Sequence, residues 1–195
     1  MAARLAPDNV RRMHQSLHHV VAEAPWSDEA VLTRVREYAL GAMMDQGPVV
    51  AWVADDTGFV KKGTHSVGVA RQYCGQVGKQ ENCRVAVSLS VATKTASLPV
   101  AWRLYLPESW AQDPERRETA GVPEEISFAT KPAIARAQIR GAVAEGIPTA
   151  PVVADAGYGD ETWFRESVTA LGLPYVLGVT SSTTVWKPGE APLPK

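Results

Sequence analysis

The chain has 195 residues, of which 45% are hydrophobic and 21% are charged, and its formal net charge is -1. This composition is that of an ordinary soluble globular protein with one main domain, and it excludes disordered, fibrous and collagen-like chains. The nearly balanced charge excludes a strongly basic nucleic-acid-binding protein, but it is compatible with a local basic patch.

Two amphipathic helices are predicted in an N-terminal helical segment over residues 1–46. Residues 8–24 place apolar side chains on one helical face, and Asp8 is the expected N-cap. Residues 28–44 repeat this pattern, with Ser27 as the expected cap. We expect the two helices to form a hairpin before the main domain.

Strand patterns begin after the Gly47-Pro48 break. Short apolar runs separated by glycine and polar residues predict four strands. A connector over residues 107–125 follows, and its three prolines and many charged side chains predict a solvated segment with one short turn of helix and without active groups. The four strands are predicted at residues 49–54, 67–73, 84–92 and 98–106.

Helices and strands alternate in the second half of the chain, as parallel sheets require. A helix is predicted from Lys131, and a short strand over residues 151–154 ends on Asp155. Asp160 is the expected cap of a helix that reaches Leu171. The remaining predicted ranges are 174–179 for a buried strand, 47–180 for the main domain and 181–195 for a proline-rich tail.

Two predicted strands end on aspartate, and these acids are candidates for a metal site. Asp55 and its neighbour Asp56 follow the first strand, and Asp155 follows a later one. In open α/β sheets, sites gather at strand carboxyl ends, so the acids meet if their strands are neighbours. Carboxylate oxygens suit Mg²⁺, and two such ions can promote phosphodiester exchange. The alternative interpretation of both positions is turn chemistry alone.

A basic segment follows the first acids. Residues 61–84 contain five lysines and arginines against Glu81 as the single acidic residue. Such side chains can neutralise phosphates and give salt-dependent DNA binding without base specificity, whereas the alternative interpretation is a solvated face. The candidate DNA-binding residues are Lys61, Lys62, Arg71, Lys79 and Arg84.

Other motifs carry little weight, and nothing indicates export. The run GQVGKQ lacks the spacer and the Ser/Thr of a phosphate loop, and His14 and His18 fit a helix surface better than a ligand pair. Cys74 and Cys83 have neither disulfide-framework nor zinc-site spacing. Because no signal peptide or membrane span is evident either, we expect a cytoplasmic protein without a membrane partner.

Four blocks of sequence, in this order, resemble the catalytic region of DDE-type insertion-sequence transposases. The similarity is to the group of bacterial elements numbered 701, which is related to the group numbered 4, and it covers roughly residues 25–180. The blocks are DDTGFVKKGTHSVGVARQYCGQVGKQENCRVAVSLS, WRLYLPESW, ERRETAGVP and VVADAGYGDETWFR.

The resemblance implies an α/β, ribonuclease-H-like fold. Its mixed five-stranded sheet is flanked by helices, its first three strands are antiparallel, and its first and fourth strands are adjacent. The family's Asp-x-Thr maps onto Asp55 and Thr57, which leaves Asp56 as the less favoured first acid, and the second acid maps onto Asp155. The implied cofactor is Mg²⁺ or Mn²⁺.

The implied activity is that of a DNA transposase catalytic core. It would hydrolyse phosphodiesters at the ends of an insertion sequence and join the freed 3′-hydroxyl to target DNA. The partners would be the element ends and the target DNA, and a homodimer of the full-length protein is left open.

Three departures from the family pattern bear on activity. The third family acid is a glutamate on a helix further downstream, and the acids that follow Asp155 lie too close behind it to take that role. Val60 also stands where proline is expected, and Arg84 stands where glutamine is expected. We therefore expect a fragment: a truncated gene copy, a frameshifted reading frame or an engineered piece.

Two alternatives to an active transposase core remain open. One is a catalytically inactive fragment that at most binds DNA non-specifically. The other is an unrelated metal-dependent phosphohydrolase that acts on small substrates.

Overall fold

The computed structural model describes residues 1–187 and 189–190. The chain divides into two compact units, Met1–Tyr38 and the residues from Ala39 onward. The proline-rich tail predicted over residues 181–195 lies partly outside the described residues. No helix in the described part of the chain is long and apolar enough to cross a membrane.

The N-terminal helices form as the sequence predicts, but they do not bury their apolar stripes. Helix α2 begins after Asn9 and not after the expected cap Asp8, and Asn9 makes no side-chain capping bond. The Ser27 hydroxyl accepts a hydrogen bond from the Ala30 amide at 3.2 Å, as expected of a cap. Neither α2 nor α3 contains a buried side chain. The bounds are α1 Ala2–Leu5, α2 Val10–Ala22 and α3 Asp28–Met44.

The main unit is a mixed α/β structure around an open sheet of six strands in the order β2-β3-β1-β5-β6, with β4 also on β3. The sheet has the six strands that the sequence patterns predict, one more than the five-stranded sheet that the family resemblance implies, and the pairing of β3 explains the difference. Its residues 79–83 pair with β2 and its residues 86–92 pair with β4, so two short strands share one edge. The strands are β1 Ala51–Val60, β2 Ala70–Cys74, β3 Lys79–Ala92, β4 Ser97–Leu104, β5 Val152–Ala154 and β6 Tyr175–Leu177.

Strand β1 does not end at the acids, contrary to the sequence prediction. It continues to Val60 because β3 pairs with it antiparallel over its whole length, from Ala51 opposite Ala92 to Val60 opposite Cys83. What ends at this point is the parallel neighbour β5, whose last residue is Ala154. Asp55 therefore lies inside one strand, at the level where the strand beside it stops.

Three helices of the main unit, α6, α7 and α8, pack on one face of the sheet, which we call the helix face. Strand residues such as Trp52 and Val87 are fully buried there against Ile134 and Ile139 of helix α6. The Thr130 hydroxyl caps α6 by accepting a hydrogen bond from the Ala133 amide at 3.3 Å. The helices after the fourth strand are α4 Glu108–Ala111, α5 Pro114–Thr119, α6 Lys131–Ala144, α7 Ala156–Gly159 and α8 Thr162–Ala170.

The connector over residues 107–125 is more ordered than the sequence predicts. It contains α4 and α5, and the buried Trp110 packs with Val69 and Leu106 in a small second core. The Trp110 indole donates a hydrogen bond to the Val69 carbonyl at 2.7 Å, and the Arg116 guanidinium stacks 3.7 Å from the Trp110 ring centroid. Burial of Trp110 thus orders a segment whose composition is typical of a loop.

Two details near the end of the sheet also differ from the predictions. Asp160 does not cap α8; its carboxylate accepts hydrogen bonds from the Thr180 amide at 2.9 Å and from the Thr183 hydroxyl at 3.0 Å. Strand β6 was expected to be buried, but Val176 is 68% exposed because β6 is an edge strand. The Asp160 bonds tie the segment after β6 back to the turn that follows Asp155.

Candidate functional site

The structure brings Asp55 and Asp155 together. Strands β1 and β5 pair in parallel with Trp52 opposite Val152 and Val53 opposite Val153. Asp55 and Asp155 each lie two residues beyond the last of these pairs, so the same register places them beside each other. Repulsion by the Asp155 carboxylate contributes to a raised pKa of Asp55, which also indicates that the two charges are near each other.

Each of the two carboxylates is oriented by a backbone amide close to it in sequence. The Asp56 amide donates to Oδ1 of Asp55 at 2.7 Å, and the Gly157 amide donates to Oδ1 of Asp155 at 2.9 Å. The second bond is the N-cap of α7. Because each carboxylate uses one oxygen in these bonds, the other oxygen of each is left for a ligand.

Electrostatics favour a cation beside this pair. Partial burial is the main cause of the raised pKa of Asp55, and repulsion by Asp56 and Asp155 adds to it. The Asp56 amide and the Lys131 ammonium act in the opposite direction. A divalent cation would relieve this repulsion, and carboxylate oxygens are the ligands that Mg²⁺ and Mn²⁺ prefer. The two side chains therefore fit such an ion.

Asp56 lies on the other side of the strand and is already paired. Successive side chains of a strand point to opposite faces of the sheet. Asp56 is therefore on the same face as the buried Trp52 and Ala54, which is the helix face. Asp55 is on the opposite face. Its carboxylate forms an ion pair with the ammonium of Lys131, the first residue of α6. The predicted candidates Asp55 and Asp56 are thus separated by the strand pleat.

Sequence reasoning missed two residues near the acids, Lys131 and Tyr158. A signal for the lysine exists, since a cation at the first position of a helix is disfavoured by the helix dipole and needs a reason. Tyr158 is only 2% exposed, although it lies in the short stretch between the predicted strand over residues 151–154 and the helix predicted after Asp160. No local pattern predicts its burial.

The Tyr158 hydroxyl is enclosed close to the acids. It has no hydrogen-bond partner among the described residues. Burial raises the pKa of Tyr158, and the carboxylates of Asp56, Asp55 and Asp155 raise it further. The phenol therefore stays neutral and can act only as a hydrogen-bond donor or acceptor.

We expect Tyr158→Phe to raise stability. The substitution keeps the ring, which packs 5.9 Å from Phe164, and removes a buried hydroxyl without a protein partner. Removing an unsatisfied polar group should contribute about 1 kcal/mol, or roughly 3 °C in Tm for a chain of this size. Thermal unfolding followed by circular dichroism measures this, with Tyr38→Phe as the control because Tyr38 is 88% exposed. A lower Tm for Tyr158→Phe would contradict the prediction.

The five candidate DNA-binding residues do not form one patch. Arg71 lies opposite Asn82, and Arg84 lies opposite Phe59, so by strand parity both belong to the same sheet face as Asp55. Lys79 belongs to the helix face and forms an ion pair with Glu81 at 3.3 Å. Lys61 and Lys62 follow the end of β1, where Lys61 is partly buried and Lys62 is exposed.

The candidate site contains two acids and not three. Within residues 1–187 and 189–190, no group of three or more His, Cys, Asp or Glu side chains has a metal-binding arrangement. The site can therefore supply two carboxylate ligands, and the remaining ligands would come from water or substrate.

Comparison with known proteins agrees with this geometry. The family model described as DDE superfamily endonuclease matches residues 1–195. The chain is also 29% identical over 169 residues to the probable transposase for insertion sequence element IS701 of Microchaete diplosiphon. That alignment covers 86% of this chain and 41% of the relative, so the chain spans about two fifths of the length of that curated protein. No solved structure matches. On the full-length family match, the chain belongs to the DDE superfamily of endonucleases.

Proposed function

We propose that the chain is a DNA transposase catalytic core with a ribonuclease-H-like fold. It would hydrolyse phosphodiesters at insertion-sequence ends and transfer the freed 3′-hydroxyl to target DNA. The observation that carries the proposal is the parallel pairing of β1 with β5, which places Asp55 beside Asp155. The similarity to a probable transposase of an insertion sequence supports the same substrate class.

In this proposal, Asp55 and Asp155 hold Mg²⁺ or Mn²⁺ through the carboxylate oxygens that their amide bonds leave unused. When bound, a divalent cation supplies Lewis-acid polarisation of a phosphodiester and activation of the attacking oxygen. Asp56 is the weaker candidate for the first acid, because its carboxylate is engaged by Lys131 on the helix face. The backbone amides orient both acids before substrate arrives.

Arg71 and Arg84 would bind the DNA backbone, because they share a sheet face with Asp55. Guanidinium groups bind phosphate oxygens in a fork geometry, which positions a duplex without reading its sequence. Lys79 would contribute little, since it lies on the other face beside Glu81. Lys61 and Lys62, at the end of β1, would extend the path.

Substitution of these arginines should therefore weaken DNA binding in a salt-dependent way. We expect Arg71→Gln or Arg84→Gln to lower the slope of log K against log salt by about 0.9 each, the value for one lost phosphate contact. Lys79→Gln is the matched control and should leave the slope nearly unchanged. Fluorescence anisotropy with a labelled duplex between low and moderate salt measures the slope. An equal loss for Lys79→Gln would contradict the assignment.

A second candidate function is DNA binding without cleavage. The observation that favours it is the presence of only two acids at the site in the described part of the chain. Incubation of the chain with supercoiled plasmid and either Mg²⁺ or a chelator separates the two functions. Metal-dependent nicking supports the catalytic proposal, whereas binding that is insensitive to metal, without nicking, supports the second candidate.

A further inference from the structure

Lys131 is held in place from two sides. Its ammonium contacts Oδ2 of Asp56, and it lies 5.8 Å from the centroid of the Tyr105 ring. Tyr105 in turn contacts the edge of Phe128, with ring centroids 6.4 Å apart. The Lys131 and Asp56 side chains are only 30% and 24% exposed. The pair is therefore partly desolvated, unlike the fully solvated ion pairs that contribute little.

The position of Lys131 in its helix makes a counter-charge favourable. Lys131 is the first residue of α6, where the positive end of the helix dipole disfavours a cation. The Asp56 carboxylate compensates for this, since it supplies the counter-charge. In the same way the lysine neutralises one of the two carboxylates, those of Asp56 and Asp155, that repel Asp55.

We propose that Lys131 is a positioning residue that withholds Asp56 from the divalent cation. By pairing with Asp56 on the helix face, the lysine leaves Asp55 and Asp155 as the carboxylates offered to the ion. This inference rests on the proposed metal pair. The strand pleat places Asp56 on the helix face, but β5 ends at Ala154, so in the described part of the chain β1 has no strand beside it on this side from Asp55 onward. At such an open edge, a carboxylate released by the lysine can turn toward the ion. It would then add an oxygen ligand, which tightens binding and changes the ligand set.

The test is a double-mutant cycle with Mn²⁺ as the probe. Free Mn²⁺ is measured by electron paramagnetic resonance during titration of the 195-residue chain. We expect Lys131→Met to tighten Mn²⁺ binding about tenfold, the scale on which residues next to ligands change metal affinity. In that background, Asp56→Asn should restore the original affinity, whereas Asp56→Asn alone should have a much smaller effect.

Two further variants complete the design. Lys131→Arg retains the ion pair and should keep the original Mn²⁺ affinity. If only the shape of the lysine side chain mattered, this variant would change the affinity. Lys94→Met removes a positive charge from the exposed turn between β3 and β4 and should change nothing. Thermal unfolding of each variant establishes that it is folded. If Lys131→Met is not folded, Lys131→Gln takes its place in the cycle.

Several results would overturn the inference. If Asp56→Asn weakens Mn²⁺ binding equally in both backgrounds, the lysine acts only through its charge. If Lys131→Met weakens DNA binding and leaves Mn²⁺ affinity unchanged, the lysine contacts phosphate instead. Failure of the proposed function looks different, because Asp55→Asn and Asp155→Asn would then leave Mn²⁺ affinity unchanged. If Asp55→Asn and Asp155→Asn weaken Mn²⁺ binding, but the effects of Lys131→Met and Asp56→Asn are simply additive, the metal pair stands and only the role of Lys131 is refuted.

Discussion

Asp155→Asn and Asp55→Asn should each lower Mg²⁺-dependent nicking of plasmid DNA by about 10³-fold, which corresponds to ~4 kcal/mol of transition-state stabilisation. The physical reason is that the pairing of β1 with β5 places Asp55 beside Asp155, so that the loss of either carboxylate leaves a single ligand for the ion. The double variant should be no worse than either single one, because residues that act as a unit are not additive. The measurement is the initial rate of conversion of supercoiled to open-circular plasmid.

The matched control for this prediction is Asp45→Asn. Asp45 is exposed and precedes the main sheet, so its substitution should leave nicking unchanged. Mn²⁺ affinity provides a readout that does not depend on turnover, and it should fall for Asp55→Asn and Asp155→Asn alone. Nicking that persists at the original rate in Asp155→Asn would rule out the proposed metal pair.

Asp55→Asn should also raise thermal stability at neutral pH while it removes activity. Burial and repulsion raise the pKa of Asp55 above its ordinary value of 3.8, so the ionised carboxylate disfavours the folded state. A group with a raised folded-state pKa costs stability above that pKa and costs none below the unfolded-state value. The gain in Tm should therefore be present at pH 7 and vanish as the pH falls toward 3.8. A gain that is independent of pH would contradict this cause.

Gly159→Ala should be the most destabilising small substitution near the site. A Cβ at this position would lie 1.9 Å from the Gly178 carbonyl oxygen and 3.0 Å from Cβ of Leu177. Because the carbonyl belongs to backbone that is tied to β5 by the bond from the Gly178 amide to the Ala154 carbonyl at 2.9 Å, it cannot move cheaply. We expect a loss of roughly 3 kcal/mol in the free energy of unfolding, or about 10 °C in Tm.

The control is Gly141→Ala in the last turn of α6. No atom lies within 4 Å of a Cβ built there, so the substitution should stabilise the helix by about 0.5–1 kcal/mol. Thermal and urea unfolding of both variants measure the contrast. Gly159→Ala should also weaken Mn²⁺ binding, since the Gly159 amide bonds to the Asp155 carbonyl at 2.9 Å. Equal stabilities of the two variants would show that the close approach to Gly178 is not maintained.

Local patterns predicted most of the helices and strands. The helix over residues 28–44 and the helix that begins at Lys131 form where their spacing and caps indicate. The start of β4 and the position of β5 also lie within a residue or two of the prediction. These elements are determined by residues that are neighbours in the chain, which is the information that periodicity and capping patterns contain.

Pairing between distant segments explains the predictions that were wrong. The doubled aspartate indicated the end of a strand, but β1 continues past it because β3 is long enough to pair with it as far as Val60. The five-stranded sheet implied by the family resemblance was wrong because two separate strands, both predicted from local patterns, use one edge of β3. Asp160 appeared suited to cap a helix, yet its carboxylate bonds to Thr180 and Thr183.

The candidate site shows the same division between sequence and structure. The sequence by itself identified Asp55, Asp56 and Asp155 as acids at the ends of apolar runs, together with the blocks that resemble DDE transposases. Only the tertiary structure decided that Asp55 lies beside Asp155, that Asp56 pairs with Lys131, and that Tyr158 is enclosed near all three acids. The physical reason is that residue type and spacing determine which chemical groups a strand or helix carries, whereas the register between remote strands and the pleat of each strand determine which of those groups meet.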